Sequence, residues 1–120
     1  MNKGKNKFKT KNFCESINHA WDGILIMLKE RNMKIYFLIS IIFIILNIIR
    51  RSTPIEWVIL VILIFLVFVA ETINTALENI IDKLQPDKDI YAKNAKDLAA
   101  ACVLFFGILF FICEGILLIW

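Results

Sequence analysis

WVILVILIFLVFVAETINTALENIID, Trp57 to Asp82, decides how the whole chain is read. Trp57 to Val69 is unbroken apolar sequence of the kind a hydrocarbon core accepts. Ala70 to Asp82 then brings in Glu71, Asn74, Glu78 and Asp82, with no proline or glycine to end the helix. These residues follow one another at steps of three and four, so all four lie on one stripe of an α-helix. An acid at the centre of a span costs about 2.5–3.5 kcal/mol by insertion scales, and less toward an end. Intramembrane acids as a rule face a protein interior and mark function. The plainer alternative is a helix that leaves the membrane at Glu71.

Working outward, the span that contains this stretch runs from about residue 55 to 84. RRSTPIE, Arg50 to Glu56, precedes it as a tight extramembrane turn around Pro54. Before the turn, MKIYFLISIIFIILNII (33–49) is a first span at the short end of the usual length. Residues 12–32 place Phe13, Ile17, Trp21, Ile24, Leu25 and Leu28 at helical spacing, which predicts an amphipathic helix lying in the membrane interface. Residues 1–11 form a basic tail suited to anionic lipid. Downstream, QPDKDIY breaks the pattern at Pro86, and a third span runs from about residue 90 to 120. The expected fold is all-α: one integral membrane domain over 12–120, with three transmembrane helices and an N-terminal amphipathic surface helix.

Composition agrees with that architecture. Of 120 residues, 59% are hydrophobic, more than a soluble domain of this size could hide. Twelve of the fourteen Lys and Arg fall before residue 35 or within 83–96, and only two in the turn at 50–56. The positive-inside rule therefore puts the N-terminus and the 83–96 loop in the cytoplasm, and with them the acidic stripe. Cys14, Cys102 and Cys113 have no metal-like spacing, and His19 stands alone. No phosphate loop, GxGxxG, kinase signature set or Ser–His–acid arrangement occurs, and nothing points to nucleic acid.

The polar residues have chemistry in reach. Two carboxylates a turn or two apart can divide labour, one holding Mg²⁺ through oxygen and the other acting as general base. Lys96 and Asp97 open the third span at the same depth, where Lys96 can meet phosphate as a point charge. Glu30, in KERN just before the first span, is a third acid on that side, although its bland reading is a solvated charge between Lys29 and Arg31.

The motif E-x-x-N-[ST]-A-x-E-x-x-x-D is present at Glu71, Asn74, Thr75, Ala76, Glu78 and Asp82, and A-K-D with its alanine run at Ala95, Lys96, Asp97, Ala100 and Ala101. An HA…G…ERN pattern stands upstream at His19, Ala20, Gly23, Glu30, Arg31 and Asn32. Together these resemble the prokaryotic diacylglycerol kinase family, which includes the undecaprenol kinases, over nearly all the chain after residue 12. The resemblance implies a homotrimeric cell-membrane enzyme with active sites between subunits. It implies transfer of the γ-phosphoryl group of ATP to a lipid hydroxyl, with Mg²⁺. Carried over, Glu71 is the general base, Glu78 and Glu30 are metal ligands, and Asn74, Lys96 and Asp97 are phosphate-side and orienting residues. The chain departs from the pattern at Tyr36 and Asp89, where relatives often carry histidine.

Undecaprenol and diacylglycerol are the rival acceptors, and the ERN-type start and Lys/Asn/Ile-rich composition favour undecaprenol. Two readings of other classes remain at this point: a non-enzymatic membrane subunit and an ion-handling protein. The first explains the spans but not the stripe facing A-K-D; the second also places acids within spans, and there Glu71→Gln would alter ion flux, whereas a kinase would lose phosphoryl transfer.

Overall fold

The structure, a computed structural model, describes residues 12–84 and 89–120. The basic tail and residues 85–88 of the charged loop fall outside the described residues. Four helices follow in order: α1 (Phe13–Leu28), α2 (Arg31–Arg50), α3 (Pro54–Leu84) and α4 (Ile90–Ile119). The last three are long and apolar enough to cross a membrane, so the expected all-α membrane architecture is what forms.

Each boundary has a local cause. Asn12 caps α1 by accepting from the Glu15 N–H at 2.9 Å. Asp89 caps α4 in the same way, accepting from the Ala92 N–H at 2.7 Å. The turn between α2 and α3 is built from two opposed signals. Arg51 ends α2 in the left-handed region, φ 61°, and the Ser52 N–H returns to the Asn47 carbonyl at 3.1 Å, a Schellman closure made without glycine. Thr53 then caps α3, accepting from the Glu56 N–H at 3.3 Å, with Pro54 in the first helical position, where no N–H is needed. Arg50 and Glu56 close the turn as an ion pair.

One boundary differs from the sequence reading. The surface helix, expected to reach residue 32, ends at Leu28, and Arg31 and Asn32 already belong to α2. Glu30 has extended backbone, ψ 134°, between the two helices. The physical reason is the change of direction. An apolar face lying on the membrane and a helix crossing it cannot share one axis, so the chain bends in its most polar stretch, Lys29 to Asn32. Of α1 only Met27 is buried, while Phe13, Ile17, Trp21 and Ile24 stay uncovered by the chain. That is the surface an interfacial helix gives to lipid.

Packing is centred on α3. Leu60, Leu63, Ile64 and Val67 come from it at helical spacing and close on Phe110 of α4, with Tyr36, Ile39 and Phe43 of α2 against them. The Phe43 and Phe110 rings meet edge to face at 4.9 Å. The outward faces of α2 and α4 remain apolar and exposed, as lipid-facing helices require. The helices differ in length, and the difference positions the acids. α2 has 20 residues and α3 has 31. At 1.5 Å per residue α2 is about 30 Å long and α3 extends roughly 16 Å further. Because α2 and α3 share the turn at 51–53, the surplus lies wholly at the other end, which is the acidic end.

Candidate active site

The register of the α2–α3 hairpin places the acidic stripe. Counting back from the turn, the first residues of α2 lie level with Glu71 to Asn74 of α3. Asn32 and Thr75 accordingly stand beside the Glu71 carboxylate, and Glu78 and Glu30 are close enough to interact with it through space. Tyr36, one turn further along α2, also faces Glu71. Glu71 is only 3% exposed, Asn74 5% and Thr75 6%, so the helix has not simply emerged into water at this point. A carboxylate this enclosed is held by polar neighbours or it does not persist.

These groups open into a cavity of about 660 Å³ between α2, α3 and α4. Its polar end is made by Asn32, Glu71, Asn74 and Glu78. Below them the walls turn apolar: Ile64 and Val67 from α3, Val103 and Phe110 from α4. On α4 the lining runs from Ala100 to Ile112, which is about 18 Å along the helix axis. The shape is a trough with one polar mouth and a long greasy floor. Ser40 also lines it, but its hydroxyl is satisfied by donating to the Tyr36 carbonyl at 2.8 Å, so it adds little free polarity to the floor.

The other predicted residues are placed differently. Asn74 donates its amide N–H to Glu78 at 3.3 Å, leaving its Oδ1 buried with no hydrogen-bond partner among the described residues. Lys96 reaches across from α4 to Asp82 at 2.8 Å. Asp97 pairs with Lys93 on its own helix at 2.6 Å, is 63% exposed, and does not line the cavity. Glu30 is exposed at the start of α2 and does not line it either. Thus Glu71, Asn74 and Glu78 converge, Lys96 stands apart on the same side of the bundle, and Glu30 and Asp97 stand outside the trough.

Among the described residues no three His, Cys, Asp or Glu side chains gather in a metal-holding arrangement. The donor chemistry nonetheless suits Mg²⁺, which keeps several waters and takes only one or two carboxylates when phosphates supply the rest. The orphaned Asn74 Oδ1 beside Glu78 is an oxygen of the required kind.

Sequence reasoning misses three contributors. Asn32 and Thr75 are motif letters to which the sequence alone gives no task, although their spacing from α2 and Glu71 is readable once the hairpin is aligned. Tyr36 carries no periodic signal. A second polar group, at the far end of the bundle, is legible only in part. Asn47 and Glu114, both 0% exposed, are buried there near Arg50 and Glu56. Asn47 donates to the Phe43 carbonyl at 2.8 Å and accepts from Ser52 at 2.6 Å, while neither carboxylate oxygen of Glu114 has a hydrogen-bond partner among the described residues.

The sequence is similar to those of known proteins. Residues 18–118 match the family described as prokaryotic diacylglycerol kinase. An undecaprenol kinase of Bacillus subtilis (strain 168) is 33% identical over 98 residues, covering 81% of this chain and 80% of that protein. A diacylglycerol kinase of a Sinorhizobium species is 42% identical over 57 residues, which is 47% of this chain and 42% of that one.

Proposed function

The chain belongs to the prokaryotic diacylglycerol kinase family, and we propose that it is the kinase of undecaprenol, making undecaprenyl phosphate from ATP. That it is a membrane lipid kinase follows from the family. The acceptor is inferred. The observation that carries it is the trough: a buried carboxylate at a polar mouth, continued by a single apolar channel. A primary alcohol on one long hydrocarbon chain has this same division of polarity. The similarity to an undecaprenol kinase along four-fifths of both chains supports the same acceptor.

In this reading the acceptor hydroxyl lies against Glu71. As its oxygen bonds to the γ-phosphorus, its proton passes to the Glu71 carboxylate. The bond from that phosphorus to the bridging oxygen breaks, and ADP leaves. Asn32 and Thr75 hold the carboxylate in place, so that the proton is taken at a fixed position. Glu78, with the free Asn74 oxygen and with Glu30 nearby, would hold Mg²⁺, which when bound supplies neutralisation of phosphate charge. Lys96 serves the phosphates as a point charge, steered by Asp82. Asp97 orients through Lys93 rather than by reaching the trough.

A single chain gathers the acceptor side of this site but leaves Lys96, Asp97 and Glu30 off the trough. That supports the homotrimer implied by the family resemblance, in which a neighbouring subunit completes the nucleotide side. The distribution of Lys and Arg supports a cell-membrane protein with the acidic end in the cytoplasm, where ATP is available.

The test is transfer of label from γ-labelled ATP, with Mg²⁺, to undecaprenol or diacylglycerol in mixed micelles. Label moving mainly to undecaprenol is expected. Label moving mainly to diacylglycerol would reassign the acceptor, and folded protein labelling neither lipid would overturn the reading.

A further inference from the structure

Six polar side chains line the trough: Asn32, Tyr36, Ser40, Glu71, Asn74 and Glu78. Five of them are engaged with one another or with backbone. Asn32 bonds to Glu71, Asn74 to Glu78, and Ser40 to a carbonyl of its own helix. The Tyr36 hydroxyl alone has no hydrogen-bond partner among the described residues. Its ring, by contrast, is held, because it packs against the apolar cluster of Leu63, Ile64 and Val67. Tyr36 follows Asn32 by one turn of α2, about 6 Å further from the polar mouth. A helical side chain leans toward the N-terminus of its own helix, and for α2 that is the acidic end. The ring thus rises from the greasy floor and carries its hydroxyl up to Glu71, on the hydrocarbon side of the carboxylate.

A lipid hydroxyl entering this mouth gives its hydrogen to Glu71 and turns one lone pair to phosphorus. Its other lone pair has left water and needs a donor. We infer that the Tyr36 hydroxyl donates to the acceptor oxygen and holds it against Glu71, which makes Tyr36 a further substrate-contacting residue of the reaction. The inference rests on reading Glu71 as the group that meets the acceptor. Tyr36 keeps its own proton throughout. The acceptor's proton passes to Glu71, and the bond from Tyr36 stays on the oxygen as it becomes the bridging atom of the new phosphate ester. Only the hydroxyl is concerned, so a polyprenol and a diacylglycerol would be held alike.

The test compares wild type with Tyr36→Phe, as full chains in mixed micelles, on whichever of undecaprenol and diacylglycerol the wild type labels. Phenylalanine keeps the ring and its packing and removes only the donor. Tyr36→Phe is expected to lower kcat/KM for the lipid by about three- to tenfold, the effect of one neutral hydrogen bond, carried mainly by the KM for the lipid. The KM for ATP and the rate of thermal inactivation should stay within about twofold of wild type. Unchanged lipid kinetics would overturn the inference and leave the kinase reading standing. A loss carried by the KM for ATP would put Tyr36 on the nucleotide side and overturn it as well. So would a loss matched by faster thermal inactivation, which would make the hydroxyl part of the packing alone. Wild-type protein that labels neither lipid would refute the kinase reading, and this inference with it.

Discussion

Replacing Glu71 by glutamine separates catalysis from folding more cleanly than any other change at this site. The side chain is 3% exposed, so a substitution of different shape would disturb the bundle. Glutamine keeps the shape and can still bond to Asn32 and Thr75. It also removes a negative charge that lies near Glu78 and Glu30, so the fold loses no favourable charge pair. What disappears is the ability to take a proton. General bases contribute about 10²–10⁴-fold, equivalent to roughly 2.7–5.4 kcal/mol of barrier. The expected result is a fall of that size in kcat for lipid phosphorylation, with the KM for ATP unchanged within about twofold. Initial rates of label transfer in mixed micelles measure it, and circular dichroism with thermal inactivation shows whether the variant is folded. A folded variant that loses less than about tenfold would refute the assignment of Glu71 as base. A loss confined to the KM for ATP would make it a nucleotide-binding group instead.

Asp82→Asn tests the steering of Lys96. The pair is exposed to solvent, so thermal inactivation should barely move, whereas the KM for ATP should rise by about three- to tenfold. Leu60→Ala empties the centre of the packed core, where the side chain is 0% exposed, and should cost about 2–5 kcal/mol, read as an earlier unfolding midpoint in detergent titration. Chelation of divalent ions should abolish label transfer, and Mg²⁺ should restore it while Ca²⁺ does so poorly, because Ca²⁺ prefers more and longer oxygen contacts.

The parts of this molecule that depend on periodicity are readable from the sequence. The apolar spans, the amphipathic α1 and the shared stripe of Glu71, Asn74 and Glu78 need only helical geometry, and they stand where that geometry puts them. The parts that depend on which helix meets which are not readable in this way. Asp82 lies on the same stripe but continues past the trough to Lys96, because it is eleven residues beyond Glu71, about 16 Å up the helix. Adjacency in sequence groups Asp97 with Lys96, yet consecutive helical residues point about 100° apart, and Asp97 turns to Lys93. Glu114 is visible in the sequence as an odd acid in an apolar span. Its proximity to Asn47 requires the pairing of α2 with α4.

The unequal helices turn the bilayer into part of the instrument. α2 is about as long as a hydrocarbon core is thick, and the Arg50–Glu56 turn moors one of its ends. The height of Glu71 above that mooring is therefore fixed by the protein, while the height of an acceptor's head group is fixed by the membrane. In a bilayer of matching thickness the two levels coincide. A thicker one drowns the mouth of the trough in acyl chains, and a thinner one lifts it clear of the lipid hydroxyls. With Glu71 as the group that meets the acceptor, lipid thickness would act as a setting of alignment, with no ligand and no change of sequence.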